Sequence, residues 1–155
     1  MEFLNIILES DPSAAVVPNS TPQTIAVDPK KLITVAENLL RSSQTYFDQL
    51  SCVTGIDNGV EAKTMEVIYH LYSIPYNFSV ALKVILPREN PVVPTLSSVW
   101  KSANWMERET FDMYGIVFEG HPDLRRILMP ADWDGYPLRK DYKEQEKYRE
   151  IQVKY

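Results

Sequence analysis

Three carboxylates, Glu107, Glu109 and Asp112, sit close together in the run Trp105-Met106-Glu107-Arg108-Glu109-Thr110-Phe111-Asp112-Met113-Tyr114, and His121 follows shortly after. Carboxylates and an imidazole at that density suit an oxygen-rich metal site, or an acid and base whose pKa values are pushed apart. On a helix, Arg108 and Asp112 are four apart and Glu109 and Asp112 three apart, which puts an ion-pair patch on one side. Helices that bind metal through carboxylates usually pair Glu with His at i, i+3. No histidine lies within that reach, so the spacing favours a network that caps and orients the helix.

The second cluster is Gly120-His121-Pro122-Asp123-Leu124-Arg125-Arg126-Ile127-Leu128-Met129-Pro130. Adjacent arginines suit a bidentate clamp on a phosphate or carboxylate, and His121 suits a proton carrier near neutral pH. The same pair equally makes a cationic edge for acidic side chains of a neighbouring protein. No glycine-rich phosphate cradle or dinucleotide fingerprint accompanies it, so bound nucleotide is not expected. Nucleophiles are poorer still. Cys52, beside Leu50 and Val53 in a predicted strand, reads as a buried inert thiol. His70 alternates with apolar residues, and no serine sits in a G-x-S-x-G turn. Trp100 and Trp105 read as core, while Trp133 is the better interface anchor. Nothing here assembles an active site on its own, and no cofactor is expected in the chain.

The elements that must position these groups fit one domain. The chain has 155 residues, 45% apolar and 24% charged, enough to bury roughly 68–70% of its unfolded surface without disulfides or metals. Its formal charge of -5 argues against a nucleic-acid footprint, which wants a basic face. One cysteine closes no internal disulfide and falls short of the thiolates that a cluster or structural zinc recruits. No Lys or Arg precedes Lys30, so neither a secretory nor a transit signal is expected. No stretch reaches the ~20 apolar residues of a spanning helix, so membrane association is expected only through partners, on the cytoplasmic side.

Residues 1–23 read as an N-terminal arm: a small apolar cluster (Phe3, Ile6, Ile7), then a loop with Pro12, Pro18 and Pro22. Residues 24–120 read as an α+β domain. A short strand at 24–27 meets Asp28-Pro29, a capping carboxylate followed by proline at the first helical position, and a helix over about 29 to 42. Three strands follow between Tyr46 and Leu86, turning at Asp57-Asn58-Gly59 and Pro75-Tyr76-Asn77. Pro87 to Pro94 reads as a rigid loop, and a helix, with a break, runs from near Thr95 to Tyr114, where Gly115 ends it. The expectation is a small mixed or antiparallel sheet of about four strands packed with two or three helices. Residues 121–155 are proline-broken and highly charged, yet hold Trp133, Tyr136, Tyr142, Tyr148 and Tyr155. A segment of that kind is expected to lie extended across another surface as a docking arm.

The stretch Trp105 to Tyr142, with L-P-R-E-N-P at Leu86 to Pro91, resembles the respiratory-chain NADH dehydrogenase 30 kDa subunit family, the C-type subunits of bacterial complex I, and is similar to the J-type subunits of plastids and cyanobacteria. The resemblance covers about residues 30 to 142. It implies a cofactor-free α+β subunit of the hydrophilic arm of a proton-translocating NADH:quinone oxidoreductase, with FMN and iron-sulfur clusters in partner subunits. It further implies packing against the quinone-site large subunit (the D-type, similar to the hydrogenase large subunit) and near the B-type and I-type iron-sulfur subunits. Glu107, Arg108, Glu109, Asp112, His121, Arg125, Arg126, Trp133, Arg139, Lys140 and Asp141 then take interface and helix-orienting roles. Two other readings stay open: the equivalent subunit of an energy-converting hydrogenase or other complex with a different electron donor, and a stand-alone metal-dependent hydrolase using Glu107, Glu109, Asp112 and His121.

Overall fold

The computed structural model describes residues 2–153. In chain order the elements are α1 (Glu2–Ser10), β1 (Ala15–Val17), β2 (Thr24–Ala26), a 3-10 turn (Pro29–Lys31), α2 (Leu32–Arg41), β3 (Gln49–Asp57), β4 (Thr64–Ser73), β5 (Phe78–Pro87), β6 (Val92–Pro94), α3 (Ala103–Tyr114), β7 (Val117–Glu119), β8 (Lys147–Tyr148) and β9 (Ile151–Gln152). The α+β class is as expected.

The sheet has five strands in the order β1-β2-β5-β4-β3, one more than about four. The β3-β4-β5 meander is antiparallel and β2 joins β5 in parallel. Strict alternation in β4 divides its two faces. Met65, Val67, Tyr69 and Leu71 are buried beneath the helices, whereas Glu66, Ile68, His70 and Tyr72 are half-buried on the other side. Val80, Leu82, Val84 and Leu86 of β5 join the same core. Asp28 caps the turn that leads into α2, accepting from the Lys30 N–H at 2.8 Å.

Several expectations change. Residues 1–23 are read as an arm, but α1 buries Phe3 and Ile7 in the core, with Phe3 stacked on Phe78 at 5.9 Å. Phe3, Ile6 and Ile7 recur at helical spacing, and α1 packs against α2 with Phe3 on the Phe47 and Phe78 rings. Asp11 then receives the Asp28 N–H at 2.8 Å, and Ala15–Val17 pairs with β2. The Pro87 to Pro94 loop ends in β6, which pairs with β7 in parallel. The predicted helix from Thr95 becomes turns up to Ser102 and regular helix only from Ala103.

Cys52 is exposed, not buried. A register shift between Leu50 and Cys52 turns Leu50 and Val53 to the core and Cys52 outward. Trp100 is core, its indole N–H donating to the Phe47 carbonyl at 3.0 Å, but Trp105 is 63% exposed. Ala103, Glu107 and Thr110 take the inward side of α3 and leave Trp105 on the other.

Gly55 and Gly115 set how closely α3 can be held. A Cβ on Gly55 would stand 2.7 Å from the Tyr114 ring, so glycine lets α3 approach β3. Gly115 adopts φ +71 as the left-handed cap of α3, and the Tyr136 ring occupies the space its Cβ would need.

Candidate functional site

The tail beyond Gly120 has almost no regular structure, and charged groups of the domain hold it. Asp112 lies wholly buried near the end of α3. Its Oδ2 accepts three successive tail N–H groups, from Ile127 (3.0 Å), Leu128 (2.7 Å) and Met129 (2.8 Å). Its Oδ1 accepts from Arg126 Nη1 at 2.7 Å. Burial opposes ionisation, yet the Met129 N–H, the Arg126 guanidinium and the other two amides together hold the carboxyl below its usual range. The chain around the loop is therefore wrapped on a fixed anion.

Arg126 is the hub of this wrapping. Besides Asp112, it donates to the Trp133 carbonyl at 3.0 Å and the Gly135 carbonyl at 2.8 Å. Its guanidinium also lies 5.1 Å from the Tyr136 ring centre. Arg139 covers Tyr136 from 4.9 Å and donates to the Tyr114 carbonyl at 2.6 Å, placing a cation at the C-terminal end of α3. Arg108 reaches the tail from the other side, donating to the Arg125 carbonyl at 3.2 Å while resting 5.0 Å from the Trp105 ring. Arg125, by contrast, points outward to Asp123 at 2.9 Å in an exposed pair.

A second anchor lies at the end of β3. Asp57 accepts Arg88 Nε at 2.8 Å and Nη2 at 2.9 Å, and also the backbone N–H of Lys140 at 2.9 Å. The Arg88 guanidinium beside it, against the burial, holds the Asp57 carboxyl well below the usual carboxylate range. Arg88 also donates to Asp141 at 2.5 Å. Lys140 thus acts through its backbone rather than its ammonium. Farther out, Trp133 donates to the Tyr142 hydroxyl at 3.1 Å and packs on Tyr148 at 5.2 Å; it is half-buried within the tail. Tyr155 lies outside the described residues.

Glu107 belongs to a third, separate environment. It accepts the Leu96 N–H at 2.7 Å and the Thr95 hydroxyl, and His121 Nε2 stands 3.9 Å from its Oε2. Burial raises its pKa to about 7, against the pull of those two donors. Glu109 faces outward beside a groove of about 420 Å³ between β3 and α3, which Met106, Met113 and Leu138 also line.

Of the four groups only Glu107 and His121 come together, and the three carboxylates do not converge. Successive helix positions turn by about 100°, so Glu107 faces inward, Asp112 faces the tail and Glu109 faces solvent. Among the described residues no group of three His, Cys, Asp or Glu side chains is placed to hold a metal ion. This corrects the hydrolase reading that joined Glu107, Glu109, Asp112 and His121. The arginine clamp is corrected too, because Arg125 and Arg126 diverge. Sequence reasoning missed Asp57, Arg88, Thr95 and Tyr136. Asp57 shows in the sequence only as part of a turn, and Arg88 only as part of a proline-rich loop.

The domain is α+β, and its own arginines and aspartates strap down an irregular tail. Residues 25–148 match the family model described as the respiratory-chain NADH dehydrogenase 30 Kd subunit, and the chain belongs to that family. The NADH-quinone oxidoreductase C subunit of Chloroherpeton thalassium is 49% identical over 110 residues, 70% of this chain and 45% of that protein. Its counterpart of the same name from Roseiflexus sp. is 45% identical over 118 residues, 76% of this chain and 68% of that one. The chain thus spans less than half of the first relative and about two thirds of the second.

Among solved structures, the trypsin-resistant fragment (1–134) of Nqo5 aligns with TM-score 0.64 and 28% identity, over 79% of this chain and 99% of the fragment. A chain of the membrane-bound sulfane sulfur reductase, an archaeal respiratory membrane complex, shares the fold at TM-score 0.76 and 23% identity, over 92% of this chain and 84% of that one. Among the described residues no helix is long and apolar enough to cross a membrane.

Proposed function

We propose that the chain is a non-catalytic scaffold subunit in the peripheral arm of a proton-translocating NADH:quinone oxidoreductase. The observation that carries this reading is the tail: Asp112, Arg126 and Asp57 fix its backbone and Arg88 holds its Asp141 carboxylate, while Leu128, Leu138 and Ile151 remain exposed. Apolar side chains displayed on a rigidly anchored, irregular segment suit burial by another subunit better than solvent. The quinone-site large subunit is the partner we assign to this surface, with the iron-sulfur subunits of the connecting module nearby. FMN and the iron-sulfur clusters reside in partner subunits, and the chain attaches to the cytoplasmic side of the membrane through them.

Affinity purification of the tagged chain from gently solubilised membranes tests this, with subunit identification and an NADH:quinone assay on the eluate. The reading expects a large assembly carrying flavin and iron-sulfur clusters. Recovery of the chain alone, or of an assembly without a flavin subunit, contradicts it.

A further inference from the structure

Glu107 and His121 are both fully enclosed, their side chains 0% exposed, although they come from different parts of the chain. Glu107 sits in α3 and His121 begins the tail. The Asp123 N–H donates to His121 Nδ1 at 3.0 Å, so in the neutral ring the hydrogen resides on Nε2. That N–H meets the Asn104 carbonyl at 3.0 Å and lies 3.9 Å from Glu107 Oε2, between two acceptors.

Among the described residues, the neighbours of Glu107 include no fixed counter-ion. β4 contributes Tyr69, whose wholly buried hydroxyl has no hydrogen-bond partner among the described residues and whose pKa is raised by burial and then by the Glu107 carboxylate. The segment before α3 contributes the Thr95 hydroxyl and Leu96 N–H. β7 contributes Glu119, which is exposed, and its backbone carbonyl holds the Thr95 N–H. On α3 itself, Arg108 and Asp112 are committed to tail backbone and Glu109 is exposed. In the tail root, Asp123 is paired outward with Arg125.

We propose that Glu107 and His121 form a proton-operated latch at the root of the C-terminal tail: with Glu107 neutral the imidazole N–H rests on the Asn104 carbonyl, and with Glu107 ionised it is drawn to the carboxylate. The proton lost by the carboxyl goes to solvent. Because Nδ1 holds the Asp123 N–H, turning the ring shifts the first turn of the tail. Burial places the titration of Glu107 at about 7, where modest pH changes alter its occupancy. The latch depends on the chain's own groups and stands apart from which complex the chain joins.

The test is NMR of the full chain, labelled at the glutamate carboxyl carbon and the backbone nitrogen, from about pH 5 to pH 9. The Glu107 carboxyl and the Asp123 amide should move in one common step. Glu107→Gln, neutral throughout, should remove that step from the Asp123 amide and leave the His70 ring signals unchanged. A Glu107 carboxyl titrating with the exposed glutamates overturns the latch. So does an Asp123 amide that stays still while Glu107 titrates, or one whose step survives in the variant. If the variant does not fold, the carboxyl and amide titrations of the unmodified chain decide by themselves.

Discussion

Arg126 and Asp112 are 14 residues apart in the chain and 2.7 Å apart in space, with Asp112 entirely buried and the Arg126 side chain 13% exposed. The pair joins α3 to the irregular tail, and the tail amides of Ile127, Leu128 and Met129 complete the coordination of the carboxylate.

Two adjacent arginines should therefore behave very differently. Arg126→Ala leaves a buried carboxylate without its cation and should cost about 3–5 kcal/mol. Arg125→Ala removes only an exposed pair and should change stability by less than about 1 kcal/mol. Urea unfolding of the two variants checks this; equal costs would contradict the assignment of Arg126 as the hub.

Acid and base should destabilise the chain for different reasons. Asp57 and Asp112 have lowered pKa values, so their contribution is full above the unfolded carboxyl range and is lost as pH falls toward and through the folded values. Glu107 has the opposite sign. Its folded pKa of about 7 exceeds the ordinary value of 4.5, so stability falls as pH rises between those values and levels off above. That loss is on the order of 3 kcal/mol. Denaturation midpoints across this window should slope downward for the natural chain and flatten in Glu107→Gln.

Much of the frame was legible in the sequence. Alternation in Met65 to Leu71, the Asp28-Pro29 start and Gly115 as a stop are local signals, and each appears where expected. Phe3 and Ile7 are visible as an apolar cluster, but their partner Phe78 is distant in sequence, so the pattern could not tell a packed helix from a loose arm. Cys52 and Trp105 failed for related reasons. A bulge reverses strand phase after Leu50, and the inward face of α3 is set partly by the polar residues Glu107 and Asp112. Buried ions defeat a reading that equates inward with apolar. The charged signature reads in the sequence as orienting a helix, but which arginine turns inward depends on the path of the tail.

Gly115→Ala combines strain at φ +71 with a clash against the Tyr136 ring. It should destabilise by more than about 1 kcal/mol, visible as a lower melting temperature. Because Tyr136 lies between Arg126 and Arg139, the same variant should also loosen the tail. An unchanged melting temperature would show that the ring is free to move aside.

Arg88→Ala leaves Asp57, whose side chain is 1% exposed, without its cation and releases Asp141. The tail should open first at that point. Trypsin should then cut after Arg139 and Lys140 several times faster than in the natural chain, while the sheet stays intact. Equal cleavage rates would mean that the Lys140 N–H and the Arg139 bond to the Tyr114 carbonyl secure the segment without Arg88.

The scaffold role is tested most directly in membranes whose natural chain has been replaced by Arg126→Ala, by measuring two quantities: the amount of assembled complex, and the NADH:quinone turnover per assembled complex. A severalfold fall in the amount with near-normal turnover of what remains is the expected result. Normal assembly with turnover lost would contradict it and place this chain in the chemistry itself.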